Sequence, residues 1–120
     1  NVTITTHWNT AAVSLQGISV YVLRNASLAT VTSDTGTGTK AHTMVAGSAA
    51  FGGACSTDGS PASFNWTGLT EDYDGDMGSS VRSMSNASLT FANNTDGSFS
   101  VAGPANLSVC YAYFKPLSAP

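Results

Sequence analysis

The side chains that could do chemistry are few, and most of them lie in one acidic run. The segment TEDYDGDMG holds four of the seven acidic residues of the chain: Glu71, Asp72, Asp74 and Asp76. Its D-x-D-x-D spacing resembles the start of a calcium loop, because hard cations take several carboxylate oxygens from one flexible segment. The helix-loop-helix calcium motif needs Gly after the third Asp, where this chain has Met77. We favour a solvated acidic turn and keep calcium binding by Asp72, Asp74 and Asp76 as the alternative.

The types and spacing of these residues do not indicate a catalytic site. Acid/base catalysis by two carboxyl groups needs two different environments, whereas a single exposed loop gives all its carboxylates the same one. The two histidines, His7 and His42, are not accompanied by a G-x-S-x-G nucleophile motif. We therefore predict that the chain is not an enzyme, has no catalytic residue and uses no cofactor.

The two cysteines, Cys55 and Cys110, have two possible states. An even number of cysteines in an exported domain indicates a disulfide, and this is the state that we predict. Two buried free thiols are the alternative. No companion His or Cys stands at zinc-ligand spacing, so a zinc site is not expected.

Charge excludes several classes of partner. The chain has four basic and seven acidic residues and a net charge of -3. Without a basic patch, neither nucleic acid nor an anionic lipid surface is an expected partner. No apolar run approaches the roughly 18 residues of a membrane span, so membrane insertion is not expected either.

Serine and threonine supply most of the polarity, and six asparagines stand in the N-x-[ST] glycosylation pattern. These are Asn1, Asn25, Asn65, Asn86, Asn93 and Asn106. Attached glycans would supply the solubility that the missing charges do not. The pattern predicts a glycoprotein that is extracellular or on the cell surface.

Strand patterns with a period of two recur along the whole chain. They cover residues 17–25, 27–32, 39–46, 62–69 and 106–114, and a predicted hairpin covers residues 85–103. Residues 47–61 are small and turn-rich, which indicates a loop pinned by Cys55. We predict an all-β fold, an antiparallel immunoglobulin-like sandwich of about 7–9 strands.

The strand faces define an expected core and an expected surface. The inward residues are Val20, Val22, Phe64, Trp66, Leu89, Phe91, Val109 and Tyr111. On the same strands, Asn65, Asn86 and Asn106 fall on the opposite face, while Asn93 lies in a predicted turn. Asn1 lies opposite Val2 and Ile4, and Asn25 ends a predicted strand, so all six sequons are expected at the surface.

The first residues, NVTITTHW, form a separate strand pattern. Val2, Ile4, Thr6 and Trp8 share one face. We divide the chain into an N-terminal extension, residues 1–10, and a single sandwich domain, residues 11–120. The extension is either an edge strand of its own domain or a donor strand that completes the sheet of a neighbour.

A short, charge-poor sandwich with many sequons and an alternating Thr-rich first strand resembles the subunits of extracellular filaments assembled by donor-strand complementation. Archaeal threads and glycosylated fibres from environmental samples are of this kind. The resemblance implies that Val2, Ile4, Thr6 and Trp8 enter the groove of the next subunit. Copies of the chain would then form a head-to-tail filament.

A secreted carbohydrate-binding or adhesin module is the alternative function. The aromatic candidates are Trp8, Trp66, Tyr73, Tyr111 and Tyr113. Trp66 and Tyr111 fit the core pattern better, which leaves Trp8 and Tyr73. They could stack on a sugar ring of a surface or environmental polysaccharide.

Overall fold

The computed structural model describes residues 19–24, 26–58, 63–79 and 82–117. Within these ranges the regular structure consists of eight β-strands. They are β1 (Ala26–Thr35), β2 (Lys40–Met44), β3 (Ala49–Ser56), β4 (Asn65–Thr67), β5 (Thr70–Ser79), β6 (Arg82–Thr90), β7 (Thr95–Ala102) and β8 (Leu107–Pro116). The described residues contain no helix long and apolar enough to cross a membrane.

The strands form two antiparallel sheets. One sheet has five strands in the order β1-β8-β3-β6-β5, and the other has three in the order β2-β7-β4. Strand β3 is therefore central and is paired along its whole length with β6 and β8. The predicted all-β antiparallel architecture is confirmed.

Aromatic side chains join the two sheets into a sandwich-like arrangement. Trp66 of β4 meets Tyr111 of β8 edge to face, with 6.2 Å between the ring centroids. Phe99 of β7 lies 5.5 Å from Tyr113 of β8 by the same measure. The Trp66 Nε1–H also donates a 2.8 Å hydrogen bond to Ser85 Oγ of β6. The core therefore lies between the sheets.

Several sequence-based expectations agree with this arrangement. Strands occur at three predicted positions as β1, β2 and β8, and Phe64, Val109 and Tyr111 are buried. Three other core candidates, on β4, on β6 and just after β6, are partly exposed. They pack against the core. These are Trp66, Leu89 and Phe91.

The predicted central strand at residues 17–25 is wrong over its described part. Residues 19–24 form no strand, and the side chains of Val20 and Val22 are 54% and 82% exposed. The Tyr21 ring packs against Phe51 of the sheet, whereas Val20 lines a hollow beside β5 and Val22 is largely exposed. The two valines are not core residues.

Residues 47–61 are not the predicted loop, because their centre forms β3. Glycine and alanine lower the strand propensity of this segment. Here small size is required, since the ring of Trp66 lies 2.4 Å from the point where a Cβ at Gly52 would stand. Packing between the sheets outweighs propensity.

Two further expectations need correction. The acidic run is the edge strand β5 and not a turn. The predicted hairpin over residues 85–103 does contain two strands and a turn, but β6 pairs with β3 and β5 while β7 pairs with β2 and β4. The connection crosses from one sheet to the other, and Phe91 is held there by backbone hydrogen bonds with Gly47 and Ser48.

Candidate functional site

A groove of about 650 Å³ runs along the outer face of the five-stranded sheet. Its lining contains no charged side chain and is mostly apolar. The outward-facing lining residues of the three central strands are Phe51, Gly53, Cys55, Met84, Asn86, Ser108, Cys110 and Ala112. The solvent-facing side of an antiparallel sheet normally carries polar side chains, so this face has the character of a covered one.

The strand register explains why this face has a groove. Gly53 of β3 stands opposite both Cys110 of β8 and Asn86 of β6. Small side chains along the middle of the sheet make a low floor, and larger ones such as Phe51 and Met84 stand beside it.

Tyr21 holds the segment of residues 19–24 against this face. Its hydroxyl donates a 2.8 Å hydrogen bond to Asp72 Oδ2 and accepts one of 2.5 Å from Asn86 Nδ2. Its ring lies 4.5 Å from that of Phe51. Partial burial raises the pKa of Tyr21; the Asn86 hydrogen bond lowers it and the Asp72 carboxylate raises it. Ser19, the first described residue, also lines the groove.

No known protein family, curated protein or solved structure matches this chain.

Both cysteines are exposed free thiols at one end of the groove. Cys55 stands opposite Ser108, and Cys110 stands opposite Gly53, so the two cysteines are diagonal neighbours on one face of β3 and β8. The predicted disulfide is not formed in this structure. Oxidation of the pair stays a prediction.

The sequons fall into three groups. Asn65, Asn93 and Asn106 are exposed, as expected, and Asn106 Nδ2 donates a hydrogen bond to Asp58. Asn1 and Asn25 lie outside the described residues. Glycosylation itself stays a prediction at all six sites.

Asn86 is the exception, and the prediction that it is exposed is wrong. Its side chain is only 8% exposed, because Tyr21 lies over it. The Nδ2 atom that would carry the glycan is the donor of the hydrogen bond to Tyr21.

The three aspartates proposed for calcium do not converge. Asp72 bonds to Tyr21 on the outer face, whereas Asp74 Oδ2 accepts a 3.0 Å hydrogen bond from the Phe64 N–H. Asp76 stands opposite Ser83. In the described ranges, no group of three or more His, Cys, Asp or Glu side chains is placed to hold a metal ion.

A charged cluster at the seam between the sheets was missed in the sequence. Asp34 of β1 lies 3.2 Å from Lys40 Nζ and 3.9 Å from His42 Nε2, both on β2. The hydrogen bond from the Thr35 N–H has the largest effect and lowers the pKa of the Asp34 carboxyl. The hydrogen bond from Lys40 lowers this pKa further. His42 also stacks on Tyr113, with 3.8 Å between the ring centroids. The available signal was the alternation that directs Lys40 and His42 inward.

The N-terminal residues proposed for the subunit interface, Val2, Ile4, Thr6 and Trp8, lie outside the described residues. Of the two aromatic residues considered for sugar binding, Trp8 lies there too, and Tyr73 is 48% exposed on β5.

Proposed function

We propose that the chain is a structural subunit of an extracellular glycoprotein filament or pilus-like surface appendage. Its N-terminal strand inserts into the adjacent subunit, and the fold is an immunoglobulin-like sandwich completed by that donor strand. The observation that supports this proposal is the uncharged groove on the outer face of the five-stranded sheet.

An uncharged, apolar segment would match the lining of this groove. Residues 19–24 lie over the β5 and β6 side of the groove, where Tyr21 bonds to Asp72 and Asn86. The floor on the β8 side, at Gly53 and Ala112, needs an extended apolar segment. The alternating face of Val2, Ile4, Thr6 and Trp8 is such a segment. On this face β3, β6 and β8 are already paired on both sides, so burial of apolar side chains, and not added sheet hydrogen bonds, would hold it.

The occupant is the N-terminal strand of a second copy. A contact between the N-terminus of one copy and the sheet of the next is head to tail, so repetition gives an open filament. The exposed sequons Asn65, Asn93 and Asn106 lie outside the groove, where glycans leave this contact free.

The test compares three forms of the chain by negative-stain electron microscopy. We expect rods from the unaltered chain and folded, unassembled subunits after deletion of residues 1–8. Ala112→Glu places a charge on the groove floor and should also block assembly. The control Ala41→Glu lies at an exposed position of β2 and should assemble normally.

A peptide of residues 1–10 separates a second copy from a fold-back of the same chain. It should bind the deleted subunit with a defined Kd and terminate rods of the unaltered chain. A monomer of the unaltered chain that never binds the peptide, at any concentration, would contradict the proposal.

A sugar-binding or adhesive module is the second candidate, supported by a more polar hollow beside the groove. Its lining includes Tyr21, Asp72, Tyr73 and Asn86. An exposed aromatic ring beside amide and carboxylate groups matches the chemistry of a sugar. Binding to a polysaccharide panel that Tyr73→Ala abolishes, with residues 1–8 dispensable, would favour this candidate.

A further inference from the structure

Sulfur atoms are concentrated at one end of the groove. Four of the five sulfur-containing side chains of the protein line it: Cys55, Cys110, Met77 and Met84. The fifth, Met44, is buried between the sheets. The proposed filament contact covers the neighbouring floor at Gly53 and Ala112 and gives these sulfur atoms no chemical role.

The register fixes three of these side chains relative to one another. Cys55 on β3 stands directly opposite Met84 on β6, a relation that places Cβ atoms about 4.5–5.5 Å apart. Cys110 on β8 is its diagonal neighbour, at a Cα separation of about 7–8 Å. All three face the same side of the sheet.

The diagonal spacing suits a bridging ion better than a disulfide. Disulfides usually join Cα atoms about 4.4–6.8 Å apart through a sulfur–sulfur bond of about 2.05 Å. Two metal–sulfur bonds of about 2.3 Å each, the length found for zinc, let the sulfur atoms stand up to about 4.6 Å apart, more than twice the length of a disulfide bond. Cys110 Sγ lies beside Gly53 of β3, since a Cβ built on this glycine would stand 3.4 Å from it, in ordinary contact.

We propose that Cys55 and Cys110, with Met84 as the third ligand, bind one soft monovalent metal ion, Cu(I). Thiolate and thioether sulfur atoms select Cu(I) over hard cations. The described chain brings no His, Asp or Glu into the groove lining, so the donor set is sulfur alone. On binding, each thiol releases its proton to solvent and the thiolates hold the ion.

The experiment titrates the reduced full chain with Cu(I) under anaerobic conditions, in competition with bicinchoninate. We expect one ion per chain and an X-ray absorption spectrum with sulfur neighbours only. Loss of even an outer partner lowers metal affinity roughly 10–100-fold, so Cys55→Ser and Cys110→Ser should each lower it at least about 100-fold. Met84→Leu should lower it about 10-fold, and the control Met44→Leu should leave it unchanged.

Equal Cu(I) affinity of the double cysteine variant and the unaltered chain would overturn the proposal. A Cys55–Cys110 disulfide that reforms in preference to Cu(I) binding would overturn it too. Cu(I) affinity and disulfide formation are both measured on single subunits, so neither result depends on whether the chain forms filaments.

Discussion

Gly52 sets how closely the two sheets approach each other at Trp66. A methyl group at this position would meet the Trp66 ring at 2.4 Å and Leu69 at 3.0 Å. We therefore expect Gly52→Ala to destabilise the fold by about 1–3 kcal/mol through overpacking. Urea denaturation measures the difference. Gly38→Ala is the matched control, since a Cβ there meets nothing within 4 Å; equal midpoints for the two variants would contradict this account.

Tyr113 should make the fold sensitive to alkaline pH. Burial, and to a smaller extent the negative charge of Asp34, raises the pKa of Tyr113 to about 12. The unfolded chain releases this proton near pH 10, so the stabilisation is complete below pH 10 and is lost as the pH rises toward 12. Thermal unfolding between pH 8 and 12 should show a smaller alkaline loss for Tyr113→Phe than for the unaltered chain.

The same variant tests the hydroxyl itself. Tyr113 is 4% exposed, and its OH has no hydrogen-bond partner among the residues that the structure describes. Removing a buried unpaired hydroxyl should leave neutral-pH stability unchanged or raise it by about 1 kcal/mol. Tyr73→Phe, at a half-exposed position, is the control. A large loss of stability in Tyr113→Phe at pH 7 would show that the hydroxyl is paired.

At the scale of elements, Tyr21 makes the hydrogen bonds and the ring contact described between residues 19–24 and the sheet. Tyr21→Phe removes the hydrogen bonds to Asp72 and Asn86 and keeps the ring against Phe51. We expect faster amide hydrogen exchange in residues 19–24 and faster tryptic cleavage after Arg24, with the strands unaffected. Val22→Ala, whose side chain is 82% exposed, should change neither rate. Unchanged exchange in Tyr21→Phe would mean that the ring alone holds the segment.

The sequence predicts some of these elements and not others, for physical reasons. Alternation identified β8 because Val109, Tyr111 and Tyr113 face the core in turn. It misassigned residues 19–24, where β-branched side chains occur without a strand partner in the described part of the chain. It missed β3, where packing against Trp66 selects glycine and alanine over residues of high strand propensity.

The groove was equally hard to predict. Each of Cys55, Met84 and Cys110 is unremarkable in its own segment, and only the pairing of β3 with β6 and β8 brings them to one surface. Long-range register is not encoded in local spacing. The same limit applies to β6 and β7, which are adjacent along the chain but lie in different sheets.

For the whole molecule, the Asp34 cluster links the edges of the two sheets. The pKa of Asp34 is lowered, so its stabilising effect is present above its ordinary value near 3.8 and is lost as the pH falls through the lower folded value. We expect Asp34→Asn to flatten the acid limb of the stability curve below pH 4. Circular dichroism across pH 2–6 measures this. Asp96→Asn, on β7, is the control; identical acid limbs for Asp34→Asn and the unaltered chain would exclude a contribution from the cluster.

The burial of Asn86 bears on the order of events during maturation. A transferase needs its acceptor amide free in solution, whereas the docked Tyr21 ring encloses that nitrogen. A glycan on Asn86 must therefore be attached before residues 19–24 pack against the sheet. Once attached, it prevents that packing. The chain would then exist in two forms. In the form glycosylated at Asn86, residues 19–24 are detached from the sheet, and in the unglycosylated form Tyr21 holds them against it.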